Sequence, residues 1–150
     1  MMGSSHAEAE ILTVRGDRAG ERRASAWLAS RAAIRGVPDE QIKRLDQCLD
    51  EALANAIAHG GEGAREEPIE IHLEVRRDSA SCTALITLSD AGIAFDPLAA
   101  SPPRLPKTLD EANPGGFGLV MIRAFSDVLA YQRSEGRNRF TFGVTWPARE

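Results

Sequence analysis

Three short stretches carry the residue types from which a phosphate-handling site could be built. In DEALANAIAHG, Glu51, Asn55 and His59 recur every four residues, so on a helix they form one stripe. A carboxylate one turn from an amide can take a proton from a hydroxyl while the amide oxygen meets a hard cation beside substrate phosphates. In SDAGIAFDP, Asp90 ends an apolar run and Gly92 follows it. Such a carboxylate can accept a hydrogen bond from the exocyclic amine of adenine, and a glycine lets the base approach the backbone. In GGFGLVMIRAF, Gly115, Gly116 and Gly118 lead into Leu119, Ile122 and Phe125 at helical spacing. A glycine-rich helix entrance offers free N–H groups and the positive end of the helix dipole to an anion. Each stretch also has a plain alternative: a solvated helix face, an ordinary strand-to-loop turn, a loop tip. His59 reads as a polar helix end, and Asp96 with Pro97 as a turn.

The elements that must position these residues follow from periodicity. Ile11 to Val14 reads as a short strand, and Arg18 to Ile34 as a helix carrying Ala24, Trp27, Leu28 and Ile34 that Gly36 and Pro38 stop. Residues 39 to 58 form the clearest helix, with Ile42, Leu45, Leu49, Leu53, Ala56 and Ile57 on one face. Arg44, Gln47, Glu51 and Asn55 fall on the opposite face, and Gly60, Gly61 and Gly63 end the helix. Ile69, Ile71, Leu73 and Val75 then alternate with Glu70, His72, Glu74 and Arg76, the period of a half-buried strand. CTALITLSD pairs with it across a turn from Asp78 to Ser81. From Pro97 to Pro114 the chain is a proline-rich loop, a candidate lid. After the glycine-entered helix, VLAYQR and RFTFGVTW flank SEGRN as a closing hairpin. This order predicts an α+β two-layer sandwich, a mixed and mainly antiparallel sheet with helices on one face, rather than a doubly wound parallel sheet.

With 150 residues the chain has room for one compact domain, read as residues 8–150, with residues 1–7 a disordered tail or vector remnant. A composition 43% hydrophobic and 27% charged is that of a globular protein, and a net charge of -4 lacks the basic excess of a nucleic-acid binder. No apolar run is long enough to cross a bilayer, and MMGSSHAEAE has no apolar segment of the kind a secretory signal needs, so the expected location is the cytoplasm. Cys48 and Cys82 show no CxxC pattern and read as two reduced, buried thiols.

A helix with ExxxN, a strand ending in DxG and a proline-rich loop closed by GGFGL resemble, in that order, the GHKL ATPase group with its Bergerat nucleotide-binding fold. Within that group the chain is most similar to the anti-sigma-factor serine/threonine kinases. The resemblance runs over nearly the whole sequence to Trp146. It implies ATP and Mg²⁺ as cofactors, Glu51 as general base and Asn55 as Mg²⁺ ligand. Asp90, Gly92 and Ala94 would form the adenine box, where Ala94 replaces a frequent second glycine. Gly115, Gly116, Phe117, Gly118 and Leu119 would form the phosphate side, and Thr141 would support the adenine site from a strand. The lid departs from the family in having no basic cluster beyond Arg104 and Lys107. The absence of a GxxxxGK[ST] string agrees with a fold that uses no lysine loop.

The implied function is a protein kinase that acts as an anti-sigma factor, binding a sigma factor and phosphorylating a STAS-type anti-sigma-factor antagonist. A homodimer is implied too, with the first strand and helix near its interface and Trp27 as an anchor or a core residue. Two alternatives stay open: a non-catalytic ATP-gated binding module, and the detached catalytic domain of a histidine kinase. Against the latter, no histidine heads a phosphoacceptor helix, since His72 lies in a strand, His59 ends a helix and His6 is in the tail.

Overall fold

Alternation of inward apolar and outward polar side chains along each strand gives one sheet a single core-bearing face. The computed structural model describes residues 9–98 and 121–148. Along the chain they form β1 (Ala9–Val14), α1 (Arg18–Ile34), α2 (Asp39–His59), α3 (Gly61–Glu66), β2 (Ile69–Arg77), β3 (Ser81–Asp90), β4 (Val128–Ser134) and β5 (Arg137–Pro147). Residues 121–125 are also helical and lead into β4. The sheet order is β1-β2-β3-β5-β4, and every described pairing is antiparallel, against the expectation of a mixed sheet. The residues 1–7, the lid beyond Leu98 and the whole GGFGL segment lie outside the described residues.

Register carries the alternation across the sheet. Ile71 pairs with Leu88, which pairs with Phe140, and Ile86 pairs with Phe142, so these side chains share one face. On that face α1 and α2 add Leu28, Leu45, Leu49 and Leu53, each 0–1% exposed. Burying one such side chain is worth about 1.5–3 kcal/mol, which is why the helices sit on this face of the sheet. Trp27 is partly buried and packs against the same core, and both cysteines are buried and free.

Local chemistry sets the boundaries. The Asp17 carboxylate caps α1 by accepting from the Gly20 N–H at 2.8 Å. Asp78 Oδ1 accepts from the Ala80 and Ser81 N–H groups, both at 2.8 Å, and so shapes the β2–β3 turn. Glu135 and Gly136, with φ of 54° and 76°, make a two-residue turn between β4 and β5 whose twist suits a hairpin.

Two features differ from the sequence reading. Gly60, Gly61 and Gly63 do not simply end a helix, because Gly61 turns the chain with φ +67° and is itself the first residue of α3. The solvated stripe of α2 is also rotated. The exposed residues of α2 are Asp39, Glu40, Lys43, Gln47, Asp50, Ala54, Ala58 and, at its end, His59, whereas Asn55 is buried and Glu51 half-buried. One residue is about 100° of helix rotation. The helix therefore turns the Glu51 and Asn55 arc inward, beside the apolar face rather than opposite it.

Candidate functional site

A pocket opens where the C-terminal half of α2 passes over the ends of β3 and β5. Ala52, Asn55, Ala56 and His59 form its helix wall, and Leu88, Asp90, Asn138 and Phe140 form its floor. Its empty volume is about 400 Å³ including the open mouth. The small side chains of Ala52 and Ala56 leave the space, and the apolar floor suits a flat ring. Of the four buried polar side chains among the described residues, three line this pocket: Asn55, Asp90 and Asn138, at 6%, 5% and 5% exposed.

Asp90 is held on one side only. Its Oδ1 accepts from the Gly92 N–H at 2.9 Å and from Asn138 Nδ2 at 3.1 Å, while Oδ2 accepts from no described residue. Asn55 carries the complementary deficit, since its Nδ2 is buried with no partner among the described residues. Leaving such a group unpaired costs about 1–3 kcal/mol, a cost that a ligand in the pocket can relieve. Glu51 stands one turn earlier on α2, outside the pocket wall, and has no hydrogen bond or ion pair among the described residues. Burial, and secondarily the neighbouring Asp50 carboxylate, push its pKa above the ordinary glutamate value.

The loop after β3 closes the pocket. The His59 ring stacks on Phe95 with centroids 4.8 Å apart and planes 15° apart, joining the end of α2 to this loop. The Arg133 guanidinium donates to the Gly92 carbonyl at 2.8 Å. Asp96 makes the expected turn by accepting from the Leu98 N–H at 2.8 Å, and Pro97 is buried in the pocket wall.

Three of the sequence-predicted residues sit differently. Gly92 is not part of the pocket lining; its backbone crosses that of Gly60, and the Ile93 N–H donates to the Gly60 carbonyl at 3.1 Å. Ala94 is exposed and also lies off the wall. Thr141 is on the other face of the sheet, where it pairs with Thr87 at an Oγ1–Oγ1 distance of 2.9 Å. Asn138 faces the pocket, and a strand alternates sides every residue, so position 141 must face away. Gly115, Gly116, Phe117, Gly118 and Leu119 lie outside the described residues. The sequence reading missed Asn138, Tyr131 and the His59–Phe95 stack. Asn138 had a signal: it is the polar member of the inward row Asn138, Phe140, Phe142, Val144 and Trp146.

A five-stranded antiparallel sheet, helices on one face and an acid-floored pocket at the helix C-terminus together define a nucleotide-binding domain of the GHKL ATPase type. The chain belongs to the family described as the histidine kinase-like ATPase domain, which matches residues 16–143. It is 39% identical over 97 residues to the serine/threonine-protein kinase BtrW of Bordetella bronchiseptica, a match covering 65% of this chain and 66% of that protein. The match thus spans just under two thirds of that relative's length. Among solved structures, the RsbU and RsbW domains of a Mycobacterium tuberculosis protein superpose with a TM-score of 0.65 at 17% identity, covering 95% of this chain and 33% of that one. The SiaB–SiaC complex of Pseudomonas aeruginosa gives a TM-score of 0.54 at 12% identity, covering 91% and 89%. At these identities the two structures speak for the fold. Among the described residues, no helix is long and apolar enough to cross a membrane.

Proposed function

We propose that the chain is an ATP-dependent protein serine/threonine kinase that acts as an anti-sigma factor in the cytoplasm. It binds a sigma factor and phosphorylates a serine of a STAS-type anti-sigma-factor antagonist, working as a homodimer. The observation that carries the kinase reading is Glu51: a half-buried carboxylate with no described cation beside it, raised in pKa, one helical turn from a buried and unsatisfied amide. A carboxylate paired with arginine would be a poorer base, because the pair favours the charged form. Similarity to a protein named as a serine/threonine kinase supports the same reading. The sigma-factor and antagonist roles rest on the sequence resemblance.

In this reading Asp90 Oδ2 accepts from the exocyclic amine of adenine, and the apolar floor of Leu88 and Phe140 packs against the ring. No three of the described His, Cys, Asp and Glu residues cluster to hold a metal by themselves. Asn55 fits a Mg²⁺ held mainly by phosphates and water, since a half-turn of its amide offers an oxygen where the unpaired nitrogen stands. When bound, that ion neutralises charge on the transferring phosphoryl group. By the sequence resemblance, Gly115 to Leu119 belong to the phosphate side of the site. Glu51 takes the proton that the serine hydroxyl sheds as it is phosphorylated.

The test is single-turnover transfer to the cognate antagonist, with ATP affinity measured in parallel. Glu51→Gln should keep ATP affinity and lower transfer by about 100- to 10,000-fold. Asn55→Ala should weaken both Mg²⁺-ATP binding and transfer. A Glu51→Gln protein that phosphorylates at the wild-type rate removes the base and favours the non-catalytic binding module.

A further inference from the structure

We propose that Asn138 is the positioning residue for base selection: it fixes the Asp90 carboxylate so that Oδ2 alone is presented to the ligand. This rests on the reading of the pocket as an adenine site. Asn138 Nδ2 donates to Asp90 Oδ1 at 3.1 Å and to the Ile93 carbonyl at 2.9 Å. Its Oδ1 accepts from the Phe95 N–H at 3.1 Å and from the Tyr131 hydroxyl at 2.6 Å. A primary amide has two protons to donate and two lone pairs to accept with, and all four are used by the protein. Asn138 therefore has nothing left with which to read a base, although it lines the pocket.

The network also fixes the amide's orientation. The Ile93 carbonyl can only accept and the Phe95 N–H can only donate, so a flipped amide would set like against like at both ends. With its orientation set, Asn138 ties β5 to β3 through Asp90, to β4 through Tyr131, and to the closing loop through residues 93 and 95. Asp90 Oδ1 is then occupied by two donors, Gly92 N–H and Asn138 Nδ2. Rotation of the carboxylate would break both bonds. A fixed acceptor at Oδ2 favours a purine that carries an amine on its six-membered ring over one that carries a carbonyl there.

The full chain is titrated with ATP and with ITP, both with Mg²⁺, and the quantity read is the ratio of the two affinities. A hydrogen bond to a charged group predicts a wild-type preference for ATP of about 10- to 100-fold, which Asp90→Asn abolishes. Asn138→Ala should bring the ratio to within about threefold of unity, chiefly by weakening ATP. Tyr131→Phe keeps the ring but removes the hydroxyl, and should lose about three- to tenfold of the preference. It decides by the same ratio if Asn138→Ala does not fold. A wild type that binds both nucleotides equally overturns the adenine reading and this inference with it. A wild type and Asp90→Asn that behave as stated, with the preference intact in both Asn138→Ala and Tyr131→Phe, overturn this inference alone. An equal fall in both affinities gives Asn138 a merely structural role and also overturns it.

Discussion

Replacing Gly92 by alanine tests whether this glycine serves the ligand or the fold. A Cβ at this position would stand 2.6 Å from Gly60 Cα, 2.8 Å from Asp90 Oδ1 and 2.9 Å from the Gly60 carbonyl oxygen. Two of these are backbone atoms clamped by the Ile93-to-Gly60 hydrogen bond, and the third is the carboxylate oxygen fixed by Asn138. None can move away cheaply. Gly92 does not have a positive φ, so alanine carries no conformational penalty and the effect is steric. Overpacking of this kind costs about 1–3 kcal/mol. At about 2–4 °C per kcal/mol for a chain of this size, Tm should fall by roughly 2–12 °C. The assay is urea and thermal unfolding without nucleotide, followed by ATP titration. Stability should drop in the unliganded protein, and ATP affinity with it, because the methyl displaces Asp90. Wild-type stability with weakened ATP binding would refute the packing argument and return Gly92 to the role of admitting the base. Wild-type behaviour in both would mean that the two backbones do not meet.

Glu51→Gln should stabilise the unliganded protein at neutral pH. Burial and then Asp50 raise the folded-state pKa of Glu51, so the folded chain keeps this proton to higher pH than the unfolded chain does. Wild-type stability from this group is thus lost as pH rises from the unfolded value of about 4.3 through the folded one. The Tm advantage of the variant should grow across that window and vanish below it; an advantage constant from about pH 4 to 8 contradicts the assignment. Phe142 is 0% exposed, pairs with Ile86 and lies 5.8 Å from the Phe140 ring. Phe142→Ala should cost about 3–5 kcal/mol, read as a lower urea midpoint with unchanged slope. A loss below about 1 kcal/mol would show that the centre of the sheet is not packed as described.

Local signals made the scaffold legible. Asp17, Gly36 and Pro38 punctuate α1, and its bounds of Arg18–Ile34 match the sequence reading. The alternation of Ile69, Ile71 and Leu73 with Glu70, His72 and Glu74 appears in the structure as buried and half-buried rows. What local signals could not show were the consequences of tertiary contact. Three glycines after α2 read as a helix stop because nothing nearby in sequence reveals that Gly60 meets Gly92, and Gly63 meets Ala91, across the fold. Asn55 read as outward because hydropathy assigns polar side chains to solvent, whereas α2 has one inward arc over the core and another over a pocket. Thr141 came from resemblance without a register.

The register itself holds the recoverable lesson. β3 runs inward through Cys82, Ala84, Ile86 and Leu88 to Asp90, and β5 runs inward from Asn138 through Phe140, Phe142 and Val144 to Trp146. Each apolar row is interrupted once, by a polar residue at one end. Antiparallel pairing places those two ends side by side, as the Asp90–Asn138 pair. Two buried polar side chains at the same edge of a core must satisfy each other or a ligand. Here the amide is wholly spent on the protein and the carboxylate is spent by half, so the remaining acceptor and the unpaired amide of Asn55 are the groups that, in the proposed function, a nucleotide would satisfy.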